Sequence, residues 1–247
     1  EFQFASSPRD VALRRDVDAI APAFRAHIDA EIVRRKQPSA GPVDDVMGRC
    51  LALQAAGEPG YSDVEIRTVI LCMVVGGPPQ PPMVVPQALE QLLRRPDALG
   101  MAMHAAREDN DDLLRRIVRE AMRFDPLAPG LPREAVQDWT LAKGTRRAKR
   151  VRKGETILAA FASAMMDEGR VPEPDRFDPL RLDHEYIHFG HGLHECFGRH
   201  INAATLHLML KPLLRCQGLR RAPGADGQLM KNGPFAERLL VRFDHSP

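Results

Sequence analysis

Between Ile187 and Arg199 the chain reads Ile187-His188-Phe189-Gly190-His191-Gly192-Leu193-His194-Glu195-Cys196-Phe197-Gly198-Arg199. Glycines precede the cysteine, another follows it, and an apolar helical pattern begins at once. Glycines permit a tight loop whose backbone amides turn inward. A cysteine at the start of a helix sees the positive end of the dipole, which favours thiolate over thiol. Amides aimed at that sulfur set the potential of any metal it binds. Gly198, on the first helical turn, leaves room for a flat group against the helix, and Phe189 is placed to shield the sulfur from water. The chemistry open to such a centre is that of a metal-bound thiolate. Four histidines and one cysteine between His188 and His200 raise zinc as a rival. The spacings that hold zinc, such as CxxC or HExxH, are absent. An inert buried cysteine is the remaining alternative.

Further chemistry-bearing residues lie upstream in a fixed order. Glu120-Ala121-Met122-Arg123 places an acid and a base one helical turn apart. Such pairs are common on surface helices and say little alone. This one is followed by Phe124-Asp125-Pro126, by Arg133, and then by Phe177-Asp178-Pro179-Leu180-Arg181.

The elements that must position these residues are mostly helical. Val11–Lys36 carries Val17, Ile20, Phe24, Ile28 and Ile32 at helical spacing. Asp44–Ala56 is a second helix, ended by Gly57, Pro59 and Gly60. Ser62 with Glu65 forms a capping box for a third. That helix meets Gly76-Gly77-Pro78-Pro79-Gln80-Pro81-Pro82, which no regular helix tolerates. Helical patterns resume over Met83–Arg95, Asp97–Arg107 and Asp111–Phe124. Beyond Pro126, strand-like runs appear at Val136–Leu141, Thr156–Phe161 and Leu239–Phe243. Pro172–Leu182 is an irregular meander, and Phe197–Leu214 is one long helix. The basic run Arg146, Arg147, Lys149, Arg150, Arg152 and Lys153 reads as a solvated hairpin loop, with a docking patch for an acidic partner as the alternative. The whole reads as a single domain over residues 1–247, mainly α with a small β component.

Bulk composition excludes several classes. Of the 247 residues, 44% are hydrophobic and 28% charged, which suits a globular core, and the formal charge of +2 gives no argument for a nucleic-acid partner. The longest apolar run, Val69–Gly77, is too short to span a bilayer. No stretch has a signal-peptide layout, so a soluble, cytoplasmic protein is the expectation. Cys50, Cys72 and Cys216 lie in apolar helical patterns and read as small buried hydrophobes.

The stretch around Cys196 resembles the haem-binding loop of the cytochrome P450 superfamily, Phe-x-x-Gly-x-x-x-Cys-x-Gly, at Phe189, Gly192, Cys196 and Gly198. The resemblance implies haem b with Cys196 as the iron ligand, and a thiolate ligand favours O–O cleavage. It implies that His194 and Arg133 bond the haem propionates. It also implies that Glu120, Arg123 and Arg181 form a structural triad that locks the meander under the haem. The fold implied is the C-terminal half of a P450, from a G-like helix through the haem loop to the final long helix. The missing half is expected as a fused or separate N-terminal domain, or its place is taken by a second copy.

One departure bears on the chemistry. Where the family carries Ala-Gly-x-Asp-Thr over the haem, this chain has Gly76-Gly77-Pro78-Pro79-Gln80. Pro79 stands for the acid and Gln80 for the threonine of the proton relay. Some P450-like enzymes that use fatty-acid hydroperoxides need no such relay, carry an amide near this place, and are fused behind a lipid dioxygenase domain. The resemblance therefore implies a small apolar or lipid-like substrate and peroxide chemistry, with Gln80 donating a hydrogen bond to a peroxide oxygen. The alternatives are conventional monooxygenation with a redox partner and a non-catalytic haem domain. For Gln80, the competing reading is that its amide satisfies backbone groups freed by the prolines.

Overall fold

The computed structural model describes residues 11–232 and 235–246. Where the sequence pattern reads as one domain, the chain forms two compact units that divide between Gln80 and Pro81.

The first unit holds α1 (Val11–Arg35), α2 (Val46–Ala55) and α3 (Asp63–Gly76). Its core gathers Ile28, Ile32, Met47, Cys50 and Ile66. The apolar stripe expected along all of α1 is buried only toward its C-terminal end. Val17 and Ile20 are exposed, because α3 packs against α1 where Ile28 and Ile32 lie. Asp45 caps α2 by accepting from the Gly48 N–H at 2.8 Å. Ser62 and Glu65 form the capping box at α3, each side chain bonded to the other's backbone N–H. Cys72 is exposed, against the expectation of a buried hydrophobe.

α3 ends at Gly76, and α4 (Gln80–Leu93) begins four residues later. The break is where the prolines require one, but Pro81 and Pro82 belong to the new helix. In a first turn their missing N–H groups sacrifice no hydrogen bond. By length and composition alone, residues 63–93 are long and apolar enough to cross a membrane. The break interrupts that stretch, and α4 buries Val84, Ala88, Leu89 and Leu92 in a protein core.

In the second unit, α4, α5 (Pro96–Arg107), α6 (Asp111–Phe124) and α8 (Arg199–Arg215) enclose one cluster. α7 is a single turn, Phe161–Ala164, where the sequence suggested that strand would continue to Phe161. Small side chains at Ala98, Ala102, Ala105 and Ala106 let α5 lie close to α6 and α8. Among the described residues four antiparallel pairs accompany the helices. β1 (Leu131–Glu134) pairs with β4 (Thr156–Ala159), and β2 (Trp139–Leu141) pairs with β3 (Lys149–Val151). β5 (Arg220–Arg221) pairs with β8 (Val241–Arg242), and β6 (Met230–Asn232) pairs with β7 (Phe235–Arg238).

Candidate functional site

α6 and the meander share a buried ionic network. Glu120 and Arg123 face inward one turn apart, at 0% and 1% exposure, and Arg181 reaches them from the meander at 8%. Burial at that level is tolerable only when every lone pair and N–H finds a partner. Glu120 accepts from Arg123 at 2.8 and 3.0 Å, from Arg181 at 3.2 Å, and from the Asp178 backbone N–H at 3.0 Å. The fifth donor is the Tyr186 hydroxyl at 2.9 Å, a member that motif reasoning did not name. Arg123 spends its remaining donors on the Met165, Pro174 and Arg176 carbonyls. Arg181 spends its own on Pro172, Glu173 and Arg176. Phe177 stacks on Phe124 at 5.9 Å, and the Arg95 guanidinium lies 3.9 Å over the Phe124 ring.

From Tyr186 the chain runs straight into the cysteine loop. Arg119 of α6 sits 4.0 Å over the Tyr186 ring. The Nε2 of His188 lies 3.1 Å from the Arg119 carbonyl, which can only accept, so Nε2 carries the proton. Burial, with the Arg119 charge second, holds the His188 pKa down at about 3, so the ring is neutral and its Nδ1 is a lone-pair acceptor. That Nδ1 and the Nδ1 of His207 are sealed and unpartnered in the protein. Both residues line a cavity of about 330 Å³ between α6, α8 and the loop.

The loop closes through the Cys196 N–H, which donates to the Phe189 carbonyl at 2.7 Å. Gly190 and Gly192 stand at φ of 74° and 76°, in the left-handed region where a side chain is strained. Gly198 proves to be the N-cap of α8 and not a residue of its first turn. A Cβ there would lie 3.7 Å from the Cys196 sulfur. Cys196 is a free, exposed thiol, and Leu193 and Phe197 beside it are exposed as well. Phe189 is half-buried and packs on the helical core.

His194 and Arg133 are exposed and have no carboxylate partner among the described residues; Arg133 donates only to the Pro132 carbonyl, at 2.8 Å. An accessible sulfur, a bare glycine beside it, and an arginine and an imidazole without carboxylate partners fit an anionic, planar, thiolate-ligated group. Among the described residues, no three His, Cys, Asp or Glu side chains are grouped to hold a metal ion by themselves. Gln80 belongs to the first unit. Its amide donates to the Val75 carbonyl at 3.3 Å, a bond of the kind expected if it serves the backbone at the helix break.

The Cytochrome P450 family profile matches residues 12–234. The chain belongs to the cytochrome P450 family. A bifunctional dioxygenase–epoxy alcohol synthase of Fusarium oxysporum (strain Fo5176) is 34% identical over 56% of this P450 chain and 11% of its own length. The mycinamicin IV hydroxylase/epoxidase of Micromonospora griseorubida is 30% identical over 76% of the chain and 44% of its own. The chain thus spans less than half the length of these curated relatives. The crystal structure of CalO2 superposes with a TM-score of 0.76 at 26% identity, covering 97% of this chain and 57% of that one. The mainly helical fold with small sheets is the fold of this family, and the family implies a haem cofactor.

Proposed function

We propose that this chain is the haem-bearing part of a P450 oxidoreductase that acts on a small apolar or lipid-like molecule by peroxide chemistry. Haem b, bound through its iron to the Cys196 thiolate, supplies the redox chemistry at oxygen. The residues of this chain have separate tasks. The glycine-bracketed loop and the start of α8 present the Cys196 sulfur to the haem. Phe189 anchors the loop on the helical core and, against the expectation from sequence, leaves the sulfur exposed. His194 and Arg133 offer charge-assisted hydrogen bonds to propionates. Glu120, Arg123 and Arg181 hold the meander, and through Tyr186 they fix the entry to the cysteine loop.

The observation that carries the peroxide reading is the pair Pro79 and Gln80 where the family's proton relay stands. Pro79 has no proton to give, and an amide is not an acid at neutral pH. A hydroperoxide substrate arrives with its O–O bond made and needs no such delivery. The similarity to a dioxygenase–epoxy alcohol synthase supports the same reading, and the 11% coverage of that protein supports a fused partner domain. The similarity to a hydroxylase/epoxidase favours a second reading, monooxygenation with a redox partner. In the first reading Gln80 serves as the amide donor to the peroxide.

Turnover separates the two. Purified protein loaded with haem is expected to show a ferrous–CO band at the thiolate position and to convert a fatty-acid hydroperoxide without reductant. Substrate oxidation that requires both O2 and an electron donor, with no hydroperoxide turnover, would select monooxygenation.

A further inference from the structure

We propose that the β2–β3 hairpin is a docking surface for an acidic protein, whose carboxylates seat on its arginines and whose apolar side chain covers Trp139. Residues 143–153 hold seven cations, Lys143, Arg146, Arg147, Lys149, Arg150, Arg152 and Lys153, with no acid among them. The whole chain has a formal charge of only +2, so the rest of the molecule is net negative and the field is local. All seven are exposed. Only Arg150 has a carboxylate partner among the described residues, Asp138 at 2.8 Å. Uncompensated like charges on one short hairpin repel one another, and an anionic surface relieves that repulsion.

The hairpin is ordered rather than a loose basic tail. The Thr145 hydroxyl donates to the Ala142 carbonyl at 2.8 Å and accepts from the Arg147 N–H at 3.1 Å. The backbone that carries the cations is therefore set before a partner arrives, which lowers the ordering cost of association.

Trp139 is the only tryptophan in the chain, and it is 60% exposed. With Thr140, Lys143, Arg150 and Asp138 it lines a shallow depression of about 260 Å³, the size of a side chain or two. Tryptophan beside arginine is the composition of interface hot spots, and the arginine fork matches a carboxylate in two bonds. A bilayer fits less well. The hairpin tip, residues 142–148, carries only alanine as an apolar residue, whereas a membrane-seeking tip presents large apolar groups. Here Trp139 and Val136 sit at the base, on a flank that a protein surface can cover.

Trp139 is also the reporter for the test. The full chain is titrated at low salt with a synthetic helical peptide bearing four glutamates and two leucines on one face. A peptide with glutamine for each glutamate serves as the control. We expect a blue shift of Trp139 emission with the acidic peptide alone, weakened at least tenfold by 0.5 M salt and by the triple substitution Arg146→Gln, Arg147→Gln, Arg152→Gln. These three side chains are exposed, and unchanged circular dichroism would show the variant folded. Equal binding of the control peptide, or of the triple variant, would overturn the proposal. So would tighter binding to phosphatidylserine vesicles or duplex DNA than to the peptide, which would assign the surface to a bilayer or a nucleic acid.

Discussion

The meander network and the cysteine loop lie next to each other in the chain and have opposite chemistry. Around Glu120, five donors converge on one carboxylate, and both arginines spend their N–H groups on carboxylate or backbone carbonyls. At the cysteine loop the thiol is free and exposed, and the neighbouring Glu195 pairs only with Arg199 at the surface; His194 there and Arg133 on β1 have no carboxylate partner among the described residues. A saturated, buried network has nothing left to offer a ligand and can only hold structure. An unsaturated, exposed one costs little to leave open and is available to bind. Both regions contain arginine and both match family motifs, so the difference lies in burial and partner count.

The sharpest way to break this comparison is at Cys196. Cys196→Ser should abolish the thiolate absorption spectrum of the haem-loaded protein and leave the thermal midpoint of the apoprotein unchanged within a degree or two. Retention of that spectrum would remove Cys196 from the site. Glu120→Ala tests the opposite region. It strands two buried guanidinium groups and should cost about 3–5 kcal/mol in denaturant unfolding; a cost under about 1 kcal/mol would mean the network is not the lock described. Tyr186→Phe removes one donor to a charged acceptor and should cost about 1.5–3 kcal/mol in the same assay.

His188 joins the two regions, and pH probes it. Its unfolded pKa is near 6.5, and burial holds the folded value at about 3. Between those values the unfolded chain carries the extra proton, so stability is present above pH 6.5 and is lost as pH falls toward 3. The slope from this group is at most about 1.4 kcal/mol per pH unit. His188→Gln should flatten the thermal midpoint between pH 6 and 4; an unchanged slope would assign the acid sensitivity elsewhere. The smallest effects are expected from Arg133→Gln and His194→Gln. Each should leave folding within about 0.5 kcal/mol of the parent, as surface substitutions do, while haem transfer to an acceptor protein becomes several-fold faster. Equal transfer rates would dismiss both residues as propionate partners.

Several elements were legible before any coordinates. The bounds of α6, the capping box at Ser62, the break after Gly76 and the glycine-bracketed loop are all written in neighbouring residues. Steric limits on proline and glycine, and hydrogen bonds across three or four positions, decide such features without reference to the rest of the chain. The family resemblance also implied that Glu120, Arg123 and Arg181 belong together.

Other features depended on which element arrives from a distance. Tyr186 carries no motif, and only the path of the meander brings its hydroxyl to Glu120. Val17, Ile20 and Cys72 look like core residues by spacing, yet they are exposed because no described element of their unit covers them. β8 falls inside the strand-like run Leu239–Phe243, but its partner β5, two residues about twenty positions earlier, is too short for any periodicity to register. The bond from Gln80 to Val75 exists only because the helix ended and left a carbonyl open. The sequence by itself therefore determined most of the helices, the turns and the glycine-bracketed conformation of the cysteine loop. The tertiary structure alone decided which charges are saturated and which are left free, because saturation depends on partners far along the chain.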